Sequence, residues 1–252
     1  MKQTWKPGNM LYPLPAVLVT TRDRDGRDNV LTVAWAGTVN TNPPMLSISV
    51  RKNRFSCAAL MDTGVFVVNL TTEALAHAAD YCGVKSGRDT DKFKDEHLTK
   101  EEAAEIDCPM IAESPVNIEC RVTETKDLGS HIMFLSEVVS VHADTACMDA
   151  DGRFDLARAK PIVYSHGDYM TLGRPIGHFG WSVKKGAAGR IESAGKKQAS
   201  KRPAKPKTAK PKAAKPDSAK PKAAKPDSAK PKAAKTAPAD RARQRRRKES
   251  ET

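Results

Sequence analysis

Residues 86–93, SGRDTDKF, carry two basic groups, two carboxylates, two hydroxyls and a glycine, with Phe93 as the one apolar side chain. They follow TTEALAHAADYCG, which ends well as a helix, and they cannot continue its apolar face. A charge-dense loop at that place either solvates a surface or holds something charged. A second polar constellation lies upstream, where Ser49, Val50 and Arg51 end a strand and Ser56 falls in the first turn of the next helix. A helix N-terminus offers unpaired N–H groups and the positive end of a dipole, a natural seat for phosphate. Ser56 would donate to such an anion and Arg51 would supply charge; equally, Ser56 could cap its own helix. Taken alone, His131 in the turn LGSH reads as surface decoration, and Trp35 as a core aromatic.

The elements that would position these residues are mostly strands. PAVLVTTRDRDGRDNVLTVAWAG reads as two strands joined by a charged turn at Arg24-Asp25-Gly26. MLSISV (45–50) alternates, with Leu46, Ile48 and Val50 on one face. NRFSCAALMDTG reads as a short helix, capped by Asn53 and closed by Gly64, and VFVVNL (65–70) as the next strand. Thr71 or Thr72 would cap a second helix over TTEALAHAADYC. PVNIECRVTETKDLGSHIMFLSEVVSVHAD gives two more strands turning at Gly129, and KPIVYSHGDYMTLGRPIGHFGWSV closes the domain. Most connections are too short for helical crossovers, so the expectation is a mainly β, antiparallel barrel with a few short helices.

Charge divides the chain in two. It has 43 Lys+Arg and 30 Asp+Glu, a net of +13, but residues from Lys184 onward hold 24 basic and 6 acidic groups. The first 183 residues therefore carry a net charge of −5, and all 13 aromatic residues lie at or before Trp181. The remainder repeats AKPKAAKPDS at 209–218 and 219–228 and ends in RARQRRRKE (241–249). Regular prolines remove backbone donors, and the absence of large apolar side chains leaves nothing to offset ordering entropy. The expectation is a folded domain over 1–185 and a disordered, basic Lys/Ala/Pro-rich tail over 186–252.

No apolar run has the length of a signal peptide or membrane span. Five cysteines (57, 82, 108, 120, 147) are scattered with no CxxC. They read as reduced, buried thiols of a cytoplasmic protein, with no disulfide frame and no metal site.

Six motifs occur in order: DNVLTVAWAGTVNTNPPMLSISVRKNRFS, FVVNL, DYCGVKSGRDTDKF, PVNIECRV, DLGSHIMFLSEVVSVHAD and GHFGWSVKK. Together they resemble the flavin reductase-like family of FMN-binding split barrels, flavoredoxin-type members in particular, across essentially residues 1–185. The resemblance implies a split, Greek-key-like β-barrel holding FMN. It implies that Asn29 and Trp35 flank a strand whose backbone, through Thr32, Val33 and Ala34, runs along the isoalloxazine. Ser49 and Val50 would line the cofactor site, Arg51 and Ser56 would meet the phosphate, and Asn69 would reach the ribityl chain or simply cap its strand. Lys92 would contact the phosphate or flavin oxygens, with Ser86 and Asp91 as lesser contacts. Tyr164 would lie against the ring. His131 would be the catalytic residue, placed where nicotinamide arrives.

The implied activity is that of an NAD(P)H-dependent flavin reductase, in a homodimer with flavin near the interface. The chain has no GxGxxG after a strand, so NAD(P)H would stack directly on the flavin. Two alternatives stand beside this. One is a flavoredoxin-type electron carrier without nicotinamide activity. The other, of a different class, is a polyanion- or nucleic-acid-binding protein with an appended flavin module.

Overall fold

A computed structural model describes residues 1–183; the expected boundary at 185 and the expected disorder of 186–252 lie outside the described residues. A short strand β1 (Leu14–Pro15) leads into β2 (Val17–Arg22), β3 (Asp28–Val33), β4 (Ala36–Asn40) and β5 (Met45–Arg51). Helix α1 (Phe55–Thr63) and strand β6 (Val65–Asn69) follow, then α2 (Ala76–Val84) and a four-residue α3 (Lys92–Asp95). The small strands β7 (Lys100–Glu102) and β8 (Pro109–Ile111) precede a long hairpin, β9 (Val116–Asp127) and β10 (His131–Ala143). A short hairpin, β11 (Ile162–Ser165) and β12 (Asp168–Thr171), pairs with β1.

Seven of these strands form one sheet in the order β3-β2-β6-β9-β10-β5-β4, with every pairing antiparallel. Its two borders, β3 and β4, are consecutive in the chain and separated by Ala34 and Trp35 alone. A sheet whose opposite borders are tied by two residues must curl until they approach, as sheet twist favours. The result is a barrel split along one seam, the split-barrel architecture expected from the motifs.

Its interior is filled by the alternating face of each strand: Val17 and Val19, Leu31 and Val33, Ile48 and Val50, Phe66 and Val68, with Phe134 opposite. Cys57 and Leu60 bring α1 into the same cluster. The other face of β2 and β3, at Leu18 and Val30, is covered by Leu75, Cys82 and Phe93 from α2, α3 and the turn before them. Cover on both faces explains why Val17–Thr21 are buried without interruption and why VLV does not alternate with polar residues.

Several local expectations change. Arg54 occupies the N-cap position of α1 and makes no side-chain cap bond, so Asn53 is not the cap. Gly64 does close the helix, at φ 68°, donating to Leu60 O at 3.1 Å. The second helix divides into a 3₁₀ turn over Glu73–Leu75 and α2; Thr72 sits at the N-cap without a cap bond, and the Thr71 hydroxyl donates to Ala16 O instead. Strand β4 was hidden in AGTVN, whose glycine and asparagine are poor strand formers and whose residues are largely exposed. All five cysteines are free and buried. Burial pushes the thiols of Cys82, Cys108 and Cys120 up to about 12. Among the described residues no helix is long and apolar enough to cross a membrane, and no group of three or more His, Cys, Asp or Glu could hold a metal.

Candidate functional site

A two-lobed cleft opens along the seam, and Leu31, Trp35, Arg51, Arg54 and His131 line both lobes. The first lobe, about 280 Å³, runs beside Thr32, Val33, Ala34 and Trp35, with Ser49 and Val50 from β5 opposite. Because β3 borders the sheet, its outer edge has no strand partner among the described residues. An extended edge presents N–H and C=O groups at regular intervals to whatever lies beside it. The crossover is fixed by Ala36 N donating to Ala34 O at 3.0 Å and Ser49 N donating to Trp35 O at 2.8 Å.

Trp35 is 42% exposed, and its ring stacks on His131 with centroids 6.1 Å apart and planes 23° off parallel. His131 Nδ1 lies 2.8 Å from Ser130 Oγ. The β5–β10 register sets His131 directly opposite Arg51. Partial burial, and then the Arg51 guanidinium, push the imidazole below its ordinary 6.5, so it is neutral at neutral pH. Aromatic rings complete the lobe: Tyr164 lies 5.8 Å from Tyr169, whose hydroxyl donates to Asp80 Oδ1 on α2 at 3.4 Å. Burial and the Asp80 carboxylate push the Tyr169 phenol up to about 12.

The second lobe, about 420 Å³, is cationic. Arg51, Arg54, Lys85, Arg88 and Lys92 line it, together with Asn29, Ser56 and Ser86, and no carboxylate does. None of those five cations is in an ion pair among the described residues. Ser56 Oγ is buried and accepts from Asn29 Nδ2 at 2.6 Å and from Thr21 Oγ1 at 3.2 Å. Its own hydroxyl hydrogen is thereby left for a ligand at the start of α1.

Lys92 is buried, and its ammonium donates to Val30 O at 2.8 Å and Cys82 O at 3.0 Å. Val30 O is an edge carbonyl of β3, so the lysine satisfies a group that no strand reaches. Two of its three donors are used, and one remains for the lobe. Burial lowers its pKa to about 8, with Cys82 opposing that shift and Arg54 adding to it.

The structure therefore brings together Asn29, Thr32, Val33, Ala34, Trp35, Ser49, Val50, Arg51, Ser56, Ser86, Lys92, His131 and Tyr164 around one cleft. Two expected members lie elsewhere. Asn69 is fully buried between strands, donating to Leu18 O at 3.0 Å and accepting from Asn117 Nδ2 and Ile111 N, so its amide ties the sheet together. Asp91 is the N-cap of α3, accepting from Lys94 N at 3.3 Å, and it lines neither lobe. The side chains of Thr32 and Ser86 also bond within the protein. The Thr32 hydroxyl donates to Ala79 O, leaving its backbone for the cleft, and Ser86 Oγ accepts from Arg88 N at 3.2 Å.

Arg54, Phe55, Lys85, Gly87, Arg88, Asp80 and Tyr169 line the cleft without having been singled out. The charge density of the 86–93 loop was the available signal for Arg88. Gly87 carries a sharper one: a Cβ there would meet Asn29 Oδ1 at 2.3 Å and Phe55 Cδ1 at 2.8 Å, so only glycine lets the loop lie against the residue that holds Ser56.

A flat lobe beside an open strand edge, continuous with a cationic lobe, fits a planar ring bearing an anionic tail. The flavin reductase like domain model matches residues 10–173. Flavoredoxin of Desulfovibrio vulgaris (Miyazaki F) is similar at 30% identity and a TM-score of 0.69, covering 73% of this chain and 100% of that one. A flavoredoxin from Methanosarcina acetivorans is 27% identical with a TM-score of 0.65, covering 71% of this chain and 96% of that one. Among sequence relatives, the flavin reductase (NADH) of Kitasatospora aureofaciens is 27% identical over 135 residues, which are 51% of this chain and 65% of that protein.

Proposed function

The chain belongs to the flavin reductase-like domain family, and we propose that it is an FMN-binding oxidoreductase that takes hydride from NAD(P)H and passes electrons to flavin or another acceptor. The observation that carries this is the two-lobed cleft: a lobe along the open border of β3, lined by Trp35, Tyr164 and Tyr169, joined to a lobe with five cations and no carboxylate. Flavin, when bound, supplies the hydride and electron chemistry.

The chain's residues bind and orient. The end of β3 at Thr32 and Val33, with Ala34 and Trp35 after it, would hold the polar rim of the ring, and Tyr164 would close one side. Ser56 would donate its hydroxyl hydrogen to the phosphate at the N-terminus of α1, and Arg51, Arg54 and the third N–H of Lys92 would add charge. His131, neutral and held by Ser130 and Trp35, stands where the lobes meet. It offers an uncharged hydrogen-bonding group beside the ring. The test is direct: the purified chain, loaded with FMN under anaerobic conditions, should oxidise NADH or NADPH and bleach its own flavin spectrum. Bound flavin that neither nucleotide reduces would rule out the reductase activity.

That outcome would favour a second reading, an electron carrier reduced by another protein, for which the similarity of 73% of this chain to the whole of a flavoredoxin is the supporting observation. We also propose a cytoplasmic homodimer. The apolar side chains of Leu172, Ile176 and Phe179 are 51%, 86% and 104% exposed in a single chain, more than an isolated protomer would leave to water. Sedimentation equilibrium at a single-chain mass would refute the dimer.

The 24 basic residues from Lys184 onward support a separate contribution, sequence-independent binding of DNA, RNA or another polyanion. The flavin chemistry does not require it.

A further inference from the structure

The cationic lobe is larger and more charged than one phosphate requires. It would receive the smallest part of FMN, yet its volume is about 420 Å³ against about 280 Å³ for the lobe assigned to the ring. A single phosphate at neutral pH brings a charge of about −1.5 to −2. Arg51, Arg54 and Lys92 already answer that around Ser56, and Lys85 and Arg88, in the segment after α2, are left over. Both are exposed, and neither is in an ion pair among the described residues. Like charges gathered on one concave wall repel unless an anion joins them.

The same wall holds a planar surface. Phe55, half-buried, lies under the guanidinium of Arg88 at 5.8 Å and that of Arg27 at 5.7 Å from its ring centroid. A guanidinium lying over an aromatic ring, with Lys85 lining the same lobe, offers a stacking plane and charge to a nucleobase attached to a phosphate. We infer that Lys85, Arg88 and Phe55 form a second subsite, for a further phosphate carried on an adenosine nucleotide. That chemistry has two sources, the diphosphate of FAD and the 2′-phosphate of NADPH. The inference rests on the flavin-binding reading of the cleft.

The full chain should be titrated with riboflavin, FMN and FAD by flavin fluorescence, and the FMN-loaded chain then titrated with 5′-AMP and 2′,5′-ADP. If the second phosphate belongs to the flavin, FAD binds about tenfold or more tightly than FMN. If it belongs to the nicotinamide nucleotide, FMN and FAD bind alike and 2′,5′-ADP binds about tenfold or more tightly than 5′-AMP. In either case the Lys85→Gln/Arg88→Gln variant loses that preference while riboflavin binding is retained. FMN equal to FAD together with AMP equal to 2′,5′-ADP overturns the second subsite and leaves flavin binding standing. A preference that survives the double variant overturns its assignment to these residues. Failure to bind any flavin overturns both the subsite and the reading beneath it.

Discussion

Asn29 and Ser56 meet across the seam wall, the carboxamide of one donating to the hydroxyl oxygen of the other at 2.6 Å. With Thr21 also donating to that oxygen at 3.2 Å, the orientation of the Ser56 hydrogen is decided by its neighbours before any ligand arrives. Such preorganisation spares the complex an ordering cost. Ser56→Ala should weaken FMN binding by about 1.5–3 kcal/mol, ten- to a hundredfold, and leave riboflavin affinity within a few-fold. Asn29→Ala should act in the same direction. Because the two act on one atom, the double variant should cost less than the sum. Fluorescence titrations of the four proteins with both flavins decide this; equal losses for FMN and riboflavin would remove Ser56 from the phosphate.

Gly87→Ala should be damaging at an exposed-looking loop. Its methyl would need space 2.3 Å from Asn29 Oδ1 and 2.8 Å from Phe55 Cδ1. Overpacking of this kind costs about 1–3 kcal/mol. Thermal unfolding should register the loss together with weaker FMN binding. Adding Asn29→Ala to Gly87→Ala should return part of the stability, since the carboxamide is the nearer obstacle. Unchanged stability of Gly87→Ala would mean the loop does not rest on Asn29.

Lys92 predicts two opposite pH slopes. Its pKa in the free protein is about 8, and a bound dianion favours the protonated ammonium. FMN affinity should thus be highest below pH 8 and decline as pH rises through it. The free protein behaves in the other sense. Between pH 8 and the ordinary lysine value of 10.5 the unfolded chain keeps a proton that the folded chain has shed, so this group's contribution to stability improves with pH there. Lys92→Met should flatten both slopes. An FMN affinity constant from pH 7 to 9.5 in the parent protein would show that the third donor does not reach the ligand.

His131 is depressed below 6.5 and so does not change charge between pH 7 and 9. Flavin reduction at saturating nucleotide should be flat over that interval. His131→Ala should slow single-turnover reduction more than it weakens FMN binding, and His131→Asn, uncharged and able to hydrogen-bond, should recover part of the rate. A reduction rate in His131→Ala equal to the parent would return the residue to a packing role against Trp35.

A chain ending at Lys185 should keep its flavin affinity and turnover and lose retention on DNA. If about 6–10 charges of the full chain engage phosphates, its affinity should fall by about 10³–10⁵ between 50 and 200 mM salt, with little sequence preference. Equal retention of both proteins across the salt series would end the polyanion proposal.

Much of the barrel was legible because its signals are local. The alternation of Leu46, Ile48 and Val50 and the turns at Gly26, Gly64 and Gly129, all at positive φ, are properties of a few neighbouring residues. The cleft was legible largely through the ordered motifs that resemble the family. What escaped was tertiary. Asn69 looks like a polar residue at a strand end that could reach a ligand, and only the approach of Asn117 and Ile111, more than forty positions away, turns it inward. Asp91 and Lys92 are neighbours in one charged loop and both read as cofactor contacts, yet one caps α3 and the other reaches the border carbonyl of β3. Arg54, Lys85 and Tyr169 acquire a role only when three distant segments converge on one cavity, which no spacing rule announces.

The seam also bears on how the molecule breathes. Since Ala34 and Trp35 are the whole span between the sheet's two margins, strand β3 can part from the rest only by dragging the start of β4 with it. A ligand lodged there acts as a clasp on both margins at once. Amide hydrogens of residues 31–36 and 49–51 should then exchange markedly more slowly in the holo-protein than those of the remote β9–β10 tip, although the two regions belong to one continuous sheet. Loss of the ligand would loosen the barrel first at these two margins, which have no outer strand partner among the described residues, and proteolytic nicking of the apo-protein would start there.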